Sequence, residues 1–489
     1  MVEEGLHARI ERERKTIDPA APEVAVYRRY AEGTQASTLS PEMHHILGAA
    51  ARHPYADNVP DMVISAWASR LVLERFEVED QAVADFLSGL FTRNALGDLS
   101  YDVNYATGRD GNHALMLRWL PDGVTLQDQS SAASDGMAAW EAEQGDVALP
   151  AVGSSGRVTV HAEPWWDGKT GVWVSYDDQG RPAYAVKDFI ATFFDSDGNA
   201  TERLRRTVYW PDMIQRFVQD GEGWRPFPLP GERPDGVVPW LKRDGSPLGI
   251  PVIHFSFPRF GERTYGVSEL AGGVLANVDH INDLQQAIAS AARMAGYQVL
   301  WATGAQFASA PRLSPGAFLY SASGDAKFGA IPAGDLTQLM AAHQMKLQTV
   351  ARMTATPMHV ISGGDWPSGM ALVQAERPLI AKVRRLAAVI GPSWATVAHR
   401  ATEIANAFGG LQLNEDSLIS SAFEDPEQLD QMAQAELLQA RAQAQLSVEM
   451  LTSAESLMAV GMTRAEADAR ANERLAAGET INAALTGIG

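Results

Sequence analysis

The 489-residue chain contains no cysteine. Disulfides, thiolate metal sites and cysteine nucleophiles are therefore excluded together. Basic side chains are also in deficit, because 40 Lys and Arg face 60 Asp and Glu, which gives a formal net charge of −20. Proteins that bind nucleic acid in the usual way neutralise phosphates with Lys and Arg. The composition excludes such binding over the whole surface and leaves room only for a local contact.

Long apolar runs are absent as well. No stretch of the sequence approaches the roughly 18 apolar residues that a membrane-spanning helix needs, so we expect no membrane partner. The first residues, Met1-Val2-Glu3-Glu4, are charged and polar and do not resemble a signal peptide. Hydrophobic residues make up 46% of the chain and charged residues 20%, which is typical of a folded protein. The length predicts a large core and two or more structural units.

The spacing of apolar residues predicts helices at the start of the chain and strands in its middle. Residues 1–30 mix charges with helix formers and are expected to form a helix or a mobile arm. Apolar residues at helical spacing predict helices over 63–76 and 81–91. From residue 115 to 257 apolar residues recur at every second position, in short runs separated by turn sequences. This pattern predicts an antiparallel β unit.

From residue 266 onward the pattern is mainly helical. A first long helix is predicted to end near Gly296 and a second to cover 336–354, with a short β insertion between them. A Gly-rich loop over 362–369 leads to a third long helix, 370–408, where Pro378 and Pro392 should bend or interrupt the helix.

Sequences that resemble catalytic or metal-binding motifs lack essential residues. Residues 195–199 resemble the start of a calcium loop, but Ala200 replaces the required Gly and Arg206 the bidentate Glu. His44 and His45 are adjacent, which is not the spacing of a zinc helix. The Gly-rich segment 363–369 lacks the lysine of a phosphate loop. We therefore predict no catalytic residue, no metal and no cofactor, and expect that the protein is not an enzyme.

A local basic run follows the Gly-rich loop and comprises Arg377, Lys382, Arg384 and Arg385. Such a run on a helix is most often a solvated face with salt bridges. The alternative is a contact to phosphate or to a neighbouring subunit, and the sequence leaves both open. The twelve tryptophans lie mostly in the β segments, where large rings are usually core, although stacking on bases is the alternative.

The block from Pro251 to about residue 386 resembles the portal proteins of tailed bacteriophages, in particular the SPP1-type portal family. Each motif is weak alone, and the signal lies in their order and spacing over most of the chain. The motifs are Pro251-Val252-Ile253-His254-Phe255, Gly266-Val267-Ser268-Glu269-Leu270, Val278-Asp279-His280-Ile281-Asn282, Trp301-Ala302-Thr303-Gly304, Pro315-Gly316, Ala355-Thr356-Pro357, Ser368-Gly369-Met370-Ala371-Leu372, and Pro378-Leu379 followed by Lys382.

The resemblance implies an α+β portal fold. Residues 1–265 would form the wing, with helices followed by an antiparallel β unit. Residues 266–302 and 336–356 would be the two stem helices, and 303–335 the small α/β clip between them. A tunnel loop would cover 357–369, a long helix 370–424, and a helical crown 425–489.

The resemblance also implies a function. The protein would form a homo-oligomeric ring, normally of twelve subunits, at one vertex of the virion capsid, assembled in the host cytoplasm. Double-stranded DNA would pass through the ring during packaging and ejection. Terminase, a head–tail adaptor, and the major capsid and scaffold proteins would be its partners. Six tunnel-loop residues would face the DNA: Ser362, Gly363, Gly364, Asp365, Trp366 and Ser368.

Two alternatives remain. The first is another virion component, such as a minor capsid or adaptor protein, which would not need two long helices around a β insertion. The second is a hydrolase or nuclease acting on DNA, which would need clustered acidic or histidine metal ligands, and the sequence shows none.

Overall fold

The computed structural model describes residues 2–17, 23–36, 57–122, 155–194, 200–221, 223–229, 232–258, 264–296, 300–304, 325–330, 336–363, 370–426, 464 and 468–470. Helices and strands are both abundant, so the fold is of the mixed α+β class. The chain divides into two units, Met1–Pro426 and Glu427–Gly489. In the second unit the described residues, 464 and 468–470, are helical.

The described elements are mainly helices up to residue 110, strands from 112 to 256, and mainly helices after residue 270. The helices are α1 (Val2–Ile17), α2 (Val24–Ala31), α3 (Val59–Ala68), α4 (Gln81–Arg93), α5 (Leu96–Asp110), α6 (Val274–Gly296), α7 (Thr337–Thr354), α8 (Met358–Ser362) and α9 (Met370–Gly409). The strands are β1 (Leu73–Glu77), β2 (Asn112–Pro121), β3 (Gly156–Glu163), β4 (Gly171–Tyr176), β5 (Pro182–Phe194), β6 (Ala200–Tyr209), β7 (Met213–Asp220), β8 (Gly223–Pro226), β9 (Val237–Pro239), β10 (Val252–Ser256), β11 (Leu300–Thr303), β12 (Lys327–Ala330) and β13 (Ser420–Phe423).

The largest sheet is an antiparallel meander in the order β4-β5-β6-β7-β8, with β9 also paired to β7. Its first turn is fixed by Asp177, whose side chain accepts hydrogen bonds from the backbone N–H groups of Gln179 and Arg181. Gly180 in this turn has a φ of +73°, which a residue without a side chain adopts at no cost. The prediction of an antiparallel β unit between 115 and 257 therefore agrees with the described strands.

Helix α1 lies on this sheet through a buried network of charges. Arg14 and Arg206 both donate hydrogen bonds to the carboxylate of Asp188, at 2.6 Å from Arg14 Nη1 and at 2.7 and 2.8 Å from Arg206. The three residues are at most 2% exposed. Glu11, at the rim, accepts a further bond from Arg206 at 2.6 Å. Burial alone would raise the pKa of Asp188, but the two guanidinium groups hold it below its ordinary value.

A second, three-stranded sheet has the order β10-β2-β3 and packs against α5 and α9. At its edge, half-buried His254 stacks on Trp165 with ring centroids 4.5 Å apart. His254 Nε2 lies 2.9 Å from Asn112 Oδ1 and Nδ1 lies 2.7 Å from the Tyr176 hydroxyl. Since the Asn112 oxygen can only accept, Nε2 donates to it. Burial lowers the pKa of His254 to about 3, so the ring is neutral and Nδ1 accepts from the Tyr176 hydroxyl.

Two helical predictions differ from the structure. The helix expected over 63–76 ends at Ala68, and Leu73–Glu77 is strand β1. This strand pairs with β13, about 350 residues further along the chain. A local apolar pattern cannot reveal such a distant partner. For α9 the sequence predicted a bend or an interruption at Pro378 and Pro392, and the interruption does not occur, because the helix runs from Met370 to Gly409. Its buried stripe, which includes Leu379, Val383, Leu386, Ile390 and Trp394, offsets the two lost backbone hydrogen bonds.

Gly111 ends helix α5 at a point where two backbone segments meet. Its φ is +86°, and a Cβ there would lie 2.6 Å from the backbone nitrogen of Ser268. Gly111→Ala is expected to lower the free energy of unfolding by about 1–3 kcal/mol more than Gly180→Ala, because overpacking adds to the cost of positive φ. Gly180 shares the positive φ but has open space around it. Urea denaturation of both variants checks this, and equal losses would show that only φ matters.

Candidate functional site

The candidate site is an arm built from two helices and a hairpin. Helices α6 and α7 pack side by side, and the antiparallel pair β11–β12 lies between them in the sequence. Asn277 near the start of α6 donates to the sulfur of Met353 near the end of α7, at 3.7 Å. The two helices are therefore antiparallel, and the start of α6 lies beside the end of α7. We call this end the base. We call α6, β11, β12 and α7 the arm.

The base of the arm is formed by the segment 266–270, the Gly-Val-Ser-Glu-Leu motif of the sequence. Gly266 lies so close to the backbone of Gly111 and Phe257 that an added Cβ would overlap both. Ser268 donates to the carbonyl of Arg109 at 2.6 Å and its oxygen accepts from the N–H of Leu270. The motif therefore joins α5 and β10 to the start of α6.

Glu269, the fourth residue of the motif, binds two elements at once. One carboxylate oxygen accepts from the indole N–H of Trp67 in α3 at 2.6 Å, and the other forms an ion pair with Lys382 in α9. Lys382 also donates to the carbonyl of Thr354, at 2.9 Å, in the last turn of α7. We call Trp67, Glu269, Thr354 and Lys382 the joint. It ties α3, the base of α6, the end of α7 and α9 together.

A second contact lies beside the joint. Glu376 of α9 accepts a hydrogen bond from Arg70 at 2.9 Å, and His359 Nε2 of α8 lies 3.5 Å from the same carboxylate oxygen. His359 is 5% exposed. Helices α8 and α9 are therefore both held against the end of α3, on either side of residues 364–369.

Polar residues on α6 hold the N-terminal part of the chain. Asp279 accepts a hydrogen bond from the hydroxyl of Tyr30 at 2.7 Å, and Asn282 accepts one from the N–H of Asp57 at 2.9 Å. Val278 and Ile281, in the same turn of the helix, are fully buried. The motif 278–282 thus also holds the N-terminal part of the chain by hydrogen bonds, a role that its sequence alone did not reveal.

The predicted tunnel-loop residues fall at the edge of the described chain. Ser362 ends α8, and its hydroxyl donates to the carbonyl of Met358 at 2.9 Å. Gly363 follows with a φ of +58° and open space around it. Gly364, Asp365, Trp366 and Ser368 lie outside the described residues. Their contact with DNA stays a prediction.

The four residues of the basic run have different surroundings. Lys382 belongs to the joint, with its side chain 16% exposed. Arg377, Arg384 and Arg385 are exposed on α9, and Arg384 lies 3.8 Å from Asp425. Their spacing places these three on one face of the helix. A contact of this face to phosphate or to another subunit stays a prediction.

The described part of the chain offers no cluster of three His, Asp or Glu side chains that could hold a metal ion. Among the described helices, none is both long and apolar enough to cross a bilayer.

Comparison with known proteins gave the following results. No family model matches the chain. No curated protein matches it. The chain is similar to a solved structure described as the neck of a native GTA particle computed with C12 symmetry, with 13% identity and a TM-score of 0.38 over 90% of this chain and 99% of that one. It is also similar to the neck of an empty GTA particle computed with C6 symmetry, with 14% identity and a TM-score of 0.39 over 85% and 93% of the two chains. At TM-scores below 0.5 this likeness carries no argument about fold or function.

The ion pair in the joint can be tested by a double-mutant cycle. Lys382→Met is expected to lower the free energy of unfolding by about 2–4 kcal/mol, because it leaves the buried Glu269 carboxylate without its cation. Glu269→Gln should cost less when Lys382 is already Met than in the native chain, with a coupling energy of about 1–3 kcal/mol. Chemical denaturation of the four proteins measures it. Arg385→Met, at an exposed position of the same helix, is the matched control, and additive losses would contradict the coupling.

Proposed function

We propose that the chain is the subunit of a portal ring, a conduit for double-stranded DNA at one vertex of a virus-like capsid. The observation that carries the proposal is the arm: two antiparallel helices that bound a small hairpin, α6 (Val274–Gly296) and α7 (Thr337–Thr354). Both helices lie inside the ranges 266–302 and 336–356 that the family resemblance assigns to the stem. Strand β12 lies inside the range 303–335 assigned to the clip, and β11 lies next to it.

The elements around the arm also support the proposal. Helix α9 is 40 residues long and follows the predicted tunnel loop. The joint connects α9 to the segment before α6 and to the end of α7. The β-rich part precedes the arm, as expected for a wing. Three of the motifs behind the resemblance, 266–270, 355–357 and Lys382, lie at the joint or next to it, where a sequence change would disturb the attachment of the arm.

The charge of the chain is compatible with a conduit. With a net charge of −20 per copy, a ring would repel phosphate over most of its surface, and a duplex inside would be free to slide. In this proposal the segment 362–369 faces the channel. Terminase and a head–tail adaptor are the expected partners.

Electron microscopy of the purified protein in negative stain tests the proposal. We expect end-on class averages that show rings with a central hole, because heterologous contacts that close form a ring. About twelve-fold symmetry is expected from the family resemblance. A single-chain species at every protein and salt concentration would contradict it.

The competing enzyme hypothesis has its own test. Incubation of duplex DNA with the protein and Mg²⁺ is expected to leave the DNA intact. Cleavage that survives further purification would show a nuclease, and would overturn the proposal that the chain acts only as a portal.

In the electron micrographs, closed assemblies without a central hole would favour another structural component of the particle.

A further inference from the structure

One face of α7 is exposed in the described part of the chain. It comprises Ala341, Gln344, Met345, Gln348 and Arg352, which are all exposed and follow the helical repeat. Met345 at its centre is 63% exposed. The opposite side of the helix, which includes Leu347, Val350 and Ala351, is buried. We call the exposed set the outward face of α7.

The outward face lies on a helix with an unusual charge for this chain. Among the described helices longer than eight residues, α7 alone has no Asp or Glu within its bounds, and it carries Lys346 and Arg352. Two copies of a chain with a net charge of −20 repel one another. The repulsion is least where carboxylates are missing, so among the described helices longer than eight residues α7 is the one on which close contact between copies costs least.

Exposed apolar side chains are concentrated on the same arm. Trp301 and Phe328 on the β11–β12 hairpin are 42% and 40% exposed, and Met340 at the start of α7 is 58% exposed. Exposed apolar groups that cluster in this way mark interaction surfaces, and methionine and aromatic residues are enriched there. The arm therefore has the composition of a surface that becomes covered.

We propose that the outward face of α7 binds a second copy of this chain. The inference rests on the portal ring proposed above and assigns one of its subunit contacts to named residues. DNA is a poor alternative occupant, because Arg352 is the only cation on the face and phosphate binding needs several. In a closed ring the contact is heterologous, so this face meets a different face of the neighbouring copy.

The absence of cysteine allows a direct test. Met345→Cys and Gln179→Cys each introduce one thiol at a position that is exposed in the single chain. Both assembled variants are labelled with a maleimide, and each rate is divided by the rate of the same variant in denaturant. We expect Cys at 345 to label roughly ten-fold or more slowly than Cys at 179 in the assembly, because thiol reactivity requires access.

A charge substitution adds a second measurement. Met345→Glu is expected to reduce the fraction of assembled protein in size-exclusion chromatography with light scattering. Gln179→Glu adds the same charge on the β4–β5 turn and should leave that fraction unchanged. Circular dichroism of the unassembled fractions checks that both variants are folded.

The outcomes separate this inference from the portal proposal. Rings in which both thiols react equally fast would overturn the contact and leave the portal ring standing. Protection of position 345 that appears only after duplex DNA is added would identify a different occupant and would also overturn it. A native chain that forms no assembly at all would contradict both proposals.

Discussion

Replacement of Asp188 by alanine is expected to lower the free energy of unfolding by about 3–5 kcal/mol, the range found when one partner of a buried ion pair is removed. Asp188 is the shared acceptor of Arg14 and Arg206, and both guanidinium groups are almost completely buried. Without the carboxylate, Glu11 at the rim is the remaining anion of the network. The substitution therefore leaves two positive charges in the core with half of their compensation.

The expected loss can be measured by urea denaturation followed by tryptophan fluorescence. Asp178→Ala removes a carboxylate from an exposed position of the β4–β5 turn and is the matched control. Asp188→Asn preserves the shape of the side chain and should still be strongly destabilising, because it removes the charge. A loss below about 1 kcal/mol for Asp188→Ala would show that water reaches the two arginines and that the site is not an enclosed ion network.

Acid is expected to destabilise the protein well before its carboxylates are protonated. Burial lowers the pKa of His113 to about 4 and that of His254 to about 3, and burial with the charge of Arg206 lowers the pKa of His7 to about 4. An unfolded histidine has a pKa of about 6.5. As the pH falls from 6.5 towards 4, the unfolded chain binds protons that the folded chain does not, so the free energy of unfolding decreases.

Each of these histidines contributes at most about 1.4 kcal/mol per pH unit within this window. The free energy of unfolding should therefore fall by several kcal/mol between pH 6.5 and pH 4.5, an order-of-magnitude sum over three groups. Asp188 acts in the same direction at lower pH, below its ordinary value of about 4, because its folded-state pKa is lowered.

Urea denaturation at several pH values tests this expectation. His254→Gln should reduce the slope of stability against pH by about one proton in the stated window. His280→Gln, at an exposed position of α6, supplies the same substitution outside the core. A stability that is constant from pH 7 to pH 4.5 would show that the buried rings gain protons without penalty.

The sequence was sufficient to predict elements whose apolar periodicity is clear. The helices α6 and α7, the start and length of α9, and the β hairpins near residues 177–181 all have strong local signals. Helix α5 (Leu96–Asp110) was missed for a physical reason. Its buried positions include Ser100, Asn104 and Thr107, which bond to backbone atoms in the interior and hide the apolar repeat.

The order of elements in the arm was predictable from the sequence, but the contacts at its base were not. The order of helix, hairpin and helix is a local property, and the motif 266–270 is visible in the sequence. The joint depends on side chains that are 202 residues apart, Trp67 and Glu269, and 113 apart, Glu269 and Lys382. Lys382 stood in the sequence within a basic run that suggested a surface role. Only the fold shows that it is held between Glu269 and Thr354.

The joint has a mechanical consequence. Lys382 binds the carbonyl of Thr354 at the end of α7 and the carboxylate of Glu269 before α6, so both helices of the arm are attached to α9 at one point. Trp67 attaches the same carboxylate to α3. A sideways load on the arm would therefore be transmitted to α9 and to α3 through these bonds. The arm therefore cannot tilt far from α9 unless the ion pair between Glu269 and Lys382 breaks.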